Sequence, residues 1–196
     1  MRVAIVKYNA GNIQSVSFAL ERLGISFSIT DDAEEIKRAD KVIFPGVGEA
    51  SSAMNYLREG KLDNVIRSLR QPVLGICLGM QLLCRFSEEN DTDCLGILPY
   101  NVRRFPDNGF KVPQIGWNNI FGLGSKLFEG IDEDSYVYFV HGYYVEQDTE
   151  TIASADYGLG FSAAVRHKNF YAVQFHAEKS GAVGAKILEN FLKINV

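Results

Sequence analysis

The sequence contains no block of charge of one sign. Its 20 Lys and Arg residues and 24 Asp and Glu residues are interspersed along 196 positions and give a net charge of −4. Such a mixture argues against a nucleic-acid-binding groove and against a polybasic membrane patch. Small soluble partners are therefore expected.

Long apolar segments are also missing. The first residues, MRVAIVKYNAGN, are apolar for only about six positions, too few for the core of a signal peptide or for a membrane span. We therefore expect a cytosolic protein. With 46% hydrophobic residues, the chain can bury most of its surface in one compact domain, residues 1–196.

Cysteine is scarce. The three cysteines, Cys77, Cys84 and Cys94, are an odd number and include no second pair that could complete a zinc site. Neither a disulfide framework nor a structural metal is expected, and the thiols should be reduced. The glycine-rich patterns of nucleotide-binding loops are absent as well, so no bound cofactor is expected.

What the sequence does contain is an alternation of strands and helices. In the first 80 residues, short β-rich runs at 3–6, 25–29, 42–44 and 72–76 are followed by turns and helical apolar spacing. The first turn is assigned to Asn9, Gly11 and Asn12. Later β-rich segments are expected at 97–105, 111–115, 136–145, 151–155, 161–166 and 171–175, and a final helix at 184–194. This pattern predicts an α/β fold, flavodoxin-like, with a mostly parallel or mixed sheet and helices on both faces.

One cysteine follows a buried strand directly. Gly75-Ile76-Cys77-Leu78-Gly79 leads into a helix, which is the layout of a nucleophile elbow. The helix N-terminus favours thiolate over thiol at Cys77, and the N–H of Leu78 points where an oxyanion would form. Cys84 and Cys94 lack glycine neighbours and are interpreted as core thiols.

A thiol nucleophile needs a base, and the chain has three histidines. His176 ends an apolar strand, and Glu178 lies two residues later, where extended backbone places both side chains on one face. The pair fits a Cys-His-acid triad. His141 also ends an apolar run but has no acid two residues away. His167 lies between two basic residues in a predicted turn and is interpreted as solvated surface.

Residues 75–81 and 175–178 together closely resemble the glutaminase domain of class I, triad-type glutamine amidotransferases. Further motifs resemble one branch of that family, the glutaminase subunits of imidazole glycerol phosphate synthase. These motifs lie at residues 9–12, 44–48, 111–118, 138–141 and 178–180.

The resemblance implies a reaction and a partner. A cysteine thiolate attacks the amide carbon of glutamine, ammonia leaves, and water hydrolyses the γ-glutamyl thioester to glutamate. The ammonia passes to a (β/α)₈-barrel cyclase subunit in a heterodimer. There N′-(5′-phosphoribulosyl)formimino-AICAR-phosphate becomes imidazole glycerol phosphate and aminoimidazole carboxamide ribotide, a step of histidine biosynthesis.

It also implies roles for individual residues. The catalytic triad would be Cys77, His176 and Glu178, and the oxyanion hole would comprise Val47, Gly48 and Leu78, after a peptide flip in the loop 45–48. Glutamine would be bound by Gly46, Gly48, Gln81, Glu89, Gly142 and Tyr143. The cyclase interface would include Asn12, Trp117, Tyr138 and Lys179.

The sequence departs from the family pattern at Ala177, where proline is usual, at Gly142, where a hydroxyl residue is common, and at Lys7-Tyr8, where Asp-Tyr is usual. None of these changes removes a reacting group.

Three alternative functions stay open. They are an amidotransferase of the same subfamily that serves another acceptor, as in sugar modification, a cysteine hydrolase or peptidase of related fold, and a flavodoxin-like binding module.

Overall fold

The computed structural model describes residues 1–9, 12–107 and 109–195. Gly11 of the predicted first turn and the neighbouring Ala10 lie outside these ranges. The helices and strands follow in chain order as β1 (Val3–Val6), α1 (Ile13–Arg22), β2 (Phe27–Thr30), α2 (Ala33–Arg38), β3 (Lys41–Gly46), α3 (Ala50–Glu59), α4 (Leu62–Ser68), β4 (Val73–Cys77), α5 (Leu78–Leu83), β5 (Phe86–Ser87), β6 (Thr92–Asp93), β7 (Asn101–Arg104), β8 (Gln114–Ile120), β9 (Ser135–His141), β10 (Tyr143–Val145), β11 (Thr151–Asp156), β12 (Gly160–His167), β13 (Phe170–Val173) and α6 (Gly181–Lys193). Single turns of 3₁₀ helix occur at Glu89–Asp91, Lys126–Phe128 and Ala177–Lys179.

The central sheet has seven strands in the order β11-β12-β13-β4-β3-β1-β2. The five strands from β13 to β2 are parallel. Between β1, β2, β3 and β4 helices return the chain to the same end of the sheet. The strands β11 and β12 are antiparallel hairpin partners that extend the sheet. The predicted mixed sheet is therefore confirmed.

Helices cover both faces of this sheet. Val3 and Ile5 of β1 join a core with α1 and α6, whereas Ala4 and Val6 join a second core with α2, α3, α4 and α5. Successive strand residues point to opposite faces, so a strand that is apolar throughout must be covered on both sides. The carboxyl ends of the parallel strands are left at one edge, where connecting loops can form a site.

Two smaller sheets lie beside the central one. Strands β10, β7, β5 and β6 form one of them, and β8 pairs with β9 in an antiparallel ribbon. The β-rich segment predicted at 136–145 contains two strands, because the chain leaves the ribbon at Gly142 and β10 joins the other sheet. The strand predicted at 111–115 begins only at Gln114, since Pro113 has no N–H to donate to a ladder.

The sequence assigned no particular residues to the helix α2. Asp32 caps it by accepting a hydrogen bond from the N–H of Glu35 at 2.8 Å, but Ile36 is its only buried residue. A helix with a single buried side chain has no apolar stripe to detect. None of the helices formed by the described residues combines the length and apolar character that crossing a membrane requires.

Candidate active site

The nucleophile candidate lies at the junction of β4 and α5. Cys77 has φ 54° and ψ −111°, a conformation that non-glycine residues rarely adopt and that marks a strained elbow. Gly79, two residues after Cys77, makes this junction possible. A Cβ atom at this position would lie 1.9 Å from the carbonyl oxygen of Phe44. Helix α5 can therefore approach β3 closely only if residue 79 lacks a side chain.

The base candidate comes from the neighbouring strand. β13 runs parallel to β4, and His176 follows three residues after its end. Nδ1 of His176 lies 2.8 Å from Oε1 of Glu178, and these side chains are only 3% and 1% exposed. Nδ2 of Asn12 donates to the same Oε1 atom at 2.7 Å, so the carboxylate is held from two sides. This second support was missed, because the sequence placed Asn12 only at an interface.

The electrostatics favour a charged imidazole. Burial lowers the pKa of His176, but hydrogen bonds and charge interactions with Cys77 and Glu178 outweigh it and raise this pKa to about 10. At neutral pH the ring is therefore an imidazolium beside the sulfur. Such a ring stabilises a thiolate and holds a proton for a leaving group.

The competing histidines occupy other environments. His141 is buried, and Nδ1 donates to the carbonyl oxygen of Tyr143 at 2.7 Å while Nε2 lies 3.0 Å from the side-chain amide group of Gln114. Burial lowers the pKa of His141 to about 4, so it is neutral. The prediction of a solvated His167 was wrong, because Nδ1 lies 2.6 Å from Glu150 and the ring is only partly exposed.

The remaining cysteines are buried in the core formed with α3, α4 and α5. Burial raises the pKa of Cys84 well above its ordinary value and that of Cys94 to about 12. Both are inert thiols under ordinary conditions. The described residues contain no group of three His, Cys, Asp or Glu side chains placed to hold a metal ion.

The predicted oxyanion segment continues directly from β3. Gly46 pairs with Cys77, and a Cβ atom on Gly46 would lie 2.4 Å from the hydroxyl oxygen of Tyr8. That buried hydroxyl donates to the carbonyl oxygen of Pro45 at 2.6 Å and fixes the start of the loop. Gly48 has φ 109°, and nothing lies within 4 Å of a Cβ built there, so the backbone at Gly48 has room to reorient.

A cavity of about 480 Å³ contains the sulfur of the elbow and most of the residues assigned by resemblance. The predicted site residues that line it are Val47, Gly48, Cys77, Leu78, Gln81, Glu89, Gly142, Tyr143, His176 and Lys179. Glu178 lies behind His176, and Gly46 supports the elbow without lining the cavity.

The cavity has additional lining residues to which the sequence assigned no role in binding glutamine. These are Arg104, Val112, Pro113, Val140 and His141. Arg104 ends β7, and no sequence pattern distinguishes it from other charged strand residues. Glu89 accepts a hydrogen bond from the N–H of Ala50 at 2.7 Å, and burial raises the pKa of its carboxyl.

The β8–β9 ribbon presents an uncovered apolar face. Trp117 is 55% exposed, and Ile115 and Tyr136 are each 60% exposed. Tyr138 pairs with Trp117 across the ribbon and contacts it edge-on, with ring centroids 5.9 Å apart. Side chains at alternate positions share one face of a ribbon, so these four residues form a continuous surface. We call this surface, formed by Ile115, Trp117, Tyr136 and Tyr138, the ribbon face. The predicted interface residue Lys179 is exposed and lines the cavity that contains Cys77.

Comparison with known proteins agrees with this architecture. The family model of class-I glutamine amidotransferases matches residues 5–195. Solved structures of a glutamine amidotransferase and of another from Thermotoga maritima superpose with TM-scores of 0.75 and 0.67 at 20% and 19% identity. The alignments cover 97% of each chain in the first case, and 98% of this chain and 82% of the other in the second, and they show a common fold.

Closer relatives share much more of the sequence. The imidazole glycerol phosphate synthase subunit HisH of Bacteroides fragilis is 57% identical, and that of Bacteroides thetaiotaomicron is 56% identical, over 99% of this chain and all of the relative. The HisH subunit of Idiomarina loihiensis is 47% identical over the full length of both. The chain therefore belongs to the class-I glutamine amidotransferase family and, within it, to the HisH subunits of imidazole glycerol phosphate synthase.

Proposed function

We propose that this chain hydrolyses glutamine at Cys77 and passes the ammonia to a (β/α)₈-barrel cyclase subunit that completes imidazole glycerol phosphate synthase. The observation that carries this proposal is the elbow sulfur in a cavity, next to an imidazolium that a buried carboxylate supports. That arrangement suits attack on an amide carbon better than any binding role.

The reaction proceeds in two halves. The Cys77 thiolate attacks the side-chain amide carbon of glutamine, and the new oxyanion accepts hydrogen bonds from backbone N–H groups of Leu78 and the 45–48 loop. His176 transfers its proton to the departing nitrogen, the C–N bond breaks, and ammonia leaves a γ-glutamyl thioester. The neutral ring then takes a proton from water, which attacks the thioester, releases glutamate and restores the thiolate–imidazolium pair.

The rest of the cavity suits a zwitterionic amino acid. Both hydrogen bonds of the Gln81 side chain use its Nε2, so its oxygen is available to accept from the substrate. Glu89 carries the charge that an α-amino group requires, and Arg104 carries the charge that an α-carboxylate requires. A Cβ atom on Gly142 would lie 3.6 Å from Val112 and 3.8 Å from Pro113, which are ordinary contact distances. The hydroxyl-bearing residue that is common in the family at this position would therefore have space for its Cβ atom.

The first experiment replaces the reacting groups. We expect Cys77→Ala to abolish glutamate release from glutamine and His176→Ala to reduce it nearly as far, with the folded structure, followed by circular dichroism, retained in both variants. Cys84→Ala, which removes a buried thiol outside the cavity, is the matched control and should keep activity. Full turnover by Cys77→Ala would overturn the proposal.

The ribbon face is the proposed docking surface for the cyclase. An apolar surface centred on an exposed Trp and two Tyr residues has the composition of an interface hot spot. We expect Trp117→Ala to weaken binding of the cyclase at least tenfold, since truncating a central Trp removes about 2 kcal/mol or more. Ile29→Ala, which truncates an exposed apolar side chain on the edge strand β2, is the control. Equal affinities of both variants would place the docking surface elsewhere.

The ribbon also touches the reacting groups. The carbonyl oxygen of Tyr138 accepts from the N–H of His176 at 2.9 Å, and that of Val140 lies 3.7 Å from the Cys77 sulfur. A partner that binds the ribbon face therefore acts directly on the backbone that positions the base and the sulfur. We expect the isolated chain to be almost inactive and glutaminase activity to rise on adding the cyclase and its ribotide ligand. Robust glutaminase activity of the chain alone would contradict this coupling.

A further inference from the structure

A fully buried glutamine lies beside the nucleophile and has no part in the triad. The paired residues of β13 and β4 end at Val173 and Ile76, and one step further along the two strands come Gln174 and Cys77. Gln174 has no exposed surface. A buried amide must use its donors and acceptors within the protein, so the partners of Gln174 indicate what it does.

The orientation of this amide is fixed by a chain of hydrogen bonds that begins at a backbone carbonyl. The backbone carbonyl of Tyr143 can only accept, so the group of Gln81 that lies 3.2 Å from it must be the NH₂ group. That same Nε2 donates to Oε1 of Gln174 at 3.0 Å. The oxygen of Gln174 therefore faces Gln81, and its NH₂ group is directed to the other side, where Nε2 lies 3.7 Å from the sulfur of Cys77.

The two protonation states of the sulfur use different neighbours. A thiol can donate to the carbonyl oxygen of Val140, which lies 3.7 Å away, but a thiolate has no proton to give and is repelled by that oxygen. An N–H donor favours the anion instead. The sulfur lies near the carbonyl oxygen of Val140 and the amide of Gln174. Of these two groups, only the amide of Gln174 can donate an N–H.

We propose that Gln174 is a thiolate-stabilising residue, which Gln81 orients so that its NH₂ group donates to the Cys77 sulfur. The inference rests on the proposed role of Cys77 as nucleophile and adds a second stabilising group to the imidazolium of His176. It also gives Gln81 two functions, since its nitrogen orients Gln174 while its oxygen is left to accept a hydrogen bond from the substrate.

The test measures the rate of Cys77 alkylation by iodoacetamide as a function of pH, with the modified cysteine identified by mass spectrometry. Gln174→Met removes the donor at nearly constant volume, and Gln174→Glu keeps the acceptor for Gln81 but places an oxygen against the sulfur. Loss of one hydrogen bond to a charged group corresponds to about a tenfold change. We therefore expect the midpoint of the alkylation profile to move about one pH unit upward in Gln174→Met and further in Gln174→Glu. The turnover of glutamine should fall about tenfold in Gln174→Met.

Further variants separate this role from packing. Gln81→Met leaves Gln174 in place but removes the donor that orients it, so the profile should move in the same direction by a smaller amount. Gln147→Glu adds the same charge outside the cavity lining and should leave the profile unchanged. Cys84 and Cys94 act as internal reporters, because both are buried and free.

Two results would overturn the inference. One is an unmoved alkylation midpoint in both Gln174 variants. The other is rapid alkylation of Cys84 and Cys94 in Gln174→Met, which would show that the residue supports only the packing of the core. The assignment of Cys77 as nucleophile fails separately, by full glutaminase activity of the alkylated wild-type enzyme.

Discussion

The charge of Glu178 can be removed with little change in the geometry of the proposed triad. Its Oε1 atom accepts from His176 at 2.8 Å and from Asn12 at 2.7 Å, whereas Oε2 has no hydrogen-bond partner among the described residues. In Glu178→Gln, both donors should hold the amide oxygen at the position of Oε1, which places the NH₂ group at that of Oε2. The ring orientation and the Nδ1 proton are then kept, and only the charge is lost.

The size of the effect follows from the short, buried contact. Two unit charges about 4 Å apart interact by about 4 kcal/mol at an effective dielectric constant of about 20. At 1.36 kcal/mol per pKa unit, losing the carboxylate should lower the pKa of His176 by about three units, from about 10 to about 7. Loss of the full interaction of about 4 kcal/mol would slow the reaction by a factor of about a thousand. Because the hydrogen bond from Asn12 and the dipole of the new amide remain, we expect kcat/KM to fall about a hundredfold.

The assay is glutamate release in the presence of the cyclase subunit, measured from pH 6 to pH 10 in steps. In Glu178→Gln the activity should decline with rising pH from about 7, since the ring then loses the proton that the departing nitrogen needs. Glu59→Gln, at the exposed end of α3, is the matched charge control. A Glu178→Gln enzyme with unchanged kcat/KM and an unchanged alkaline limb would refute the view that the carboxylate acts through its charge.

Three further outcomes are expected. Tyr8→Phe removes the donor to the carbonyl oxygen of Pro45, so the free energy of unfolding, measured with urea, should fall by about 1–3 kcal/mol and the glutaminase rate should fall with it. Gly79→Ala places a methyl group 1.9 Å from the oxygen of Phe44, and urea unfolding should show a loss of about 3 kcal/mol or no folded protein; wild-type stability would contradict the close contact. The pKa of His176 rises from 6.5 in the unfolded chain to about 10 in the folded chain, so the unfolded state loses this proton at lower pH. The stability that the charged ring contributes should therefore be complete below pH 6.5 and should decline as the pH rises to about 10. Urea unfolding at a series of pH values should show this slope in the wild type and a flatter one in His176→Asn.

Local patterns predicted the features that local physics determines. The strand before Cys77, its flanking glycines and the spacing of His176 and Glu178 are all readable within a few residues, and the structure brings these side chains together. The alternation of strands and helices likewise predicted the central sheet, because each short apolar run must be covered on both faces.

Features that depend on distant contacts could not be predicted in this way. Asn12 supports Glu178 across 166 positions, and Gln81 orients Gln174 across 93. Only the folded chain shows that these amides use their donors internally. The ribbon face was hidden for a different reason, since an apolar run such as residues 136–145 indicates a buried strand and not which of its faces is left uncovered.

The site depends on a single strand register. Val73 pairs with Phe170 and Ile76 with Val173 along the parallel strands β4 and β13, so the chain reaches Cys77 on one strand as it reaches Gln174 on the other. Gln174 and His176 are two residues apart, which keeps both on the side of the sulfur if the backbone stays extended. A slip of one residue in this pairing would shift β13 by about 3.3 Å and turn its side chains to the opposite face. The buried apolar residues of β13 prevent that slip, so the packing that stabilises the sheet also aligns the donor and the base with the sulfur.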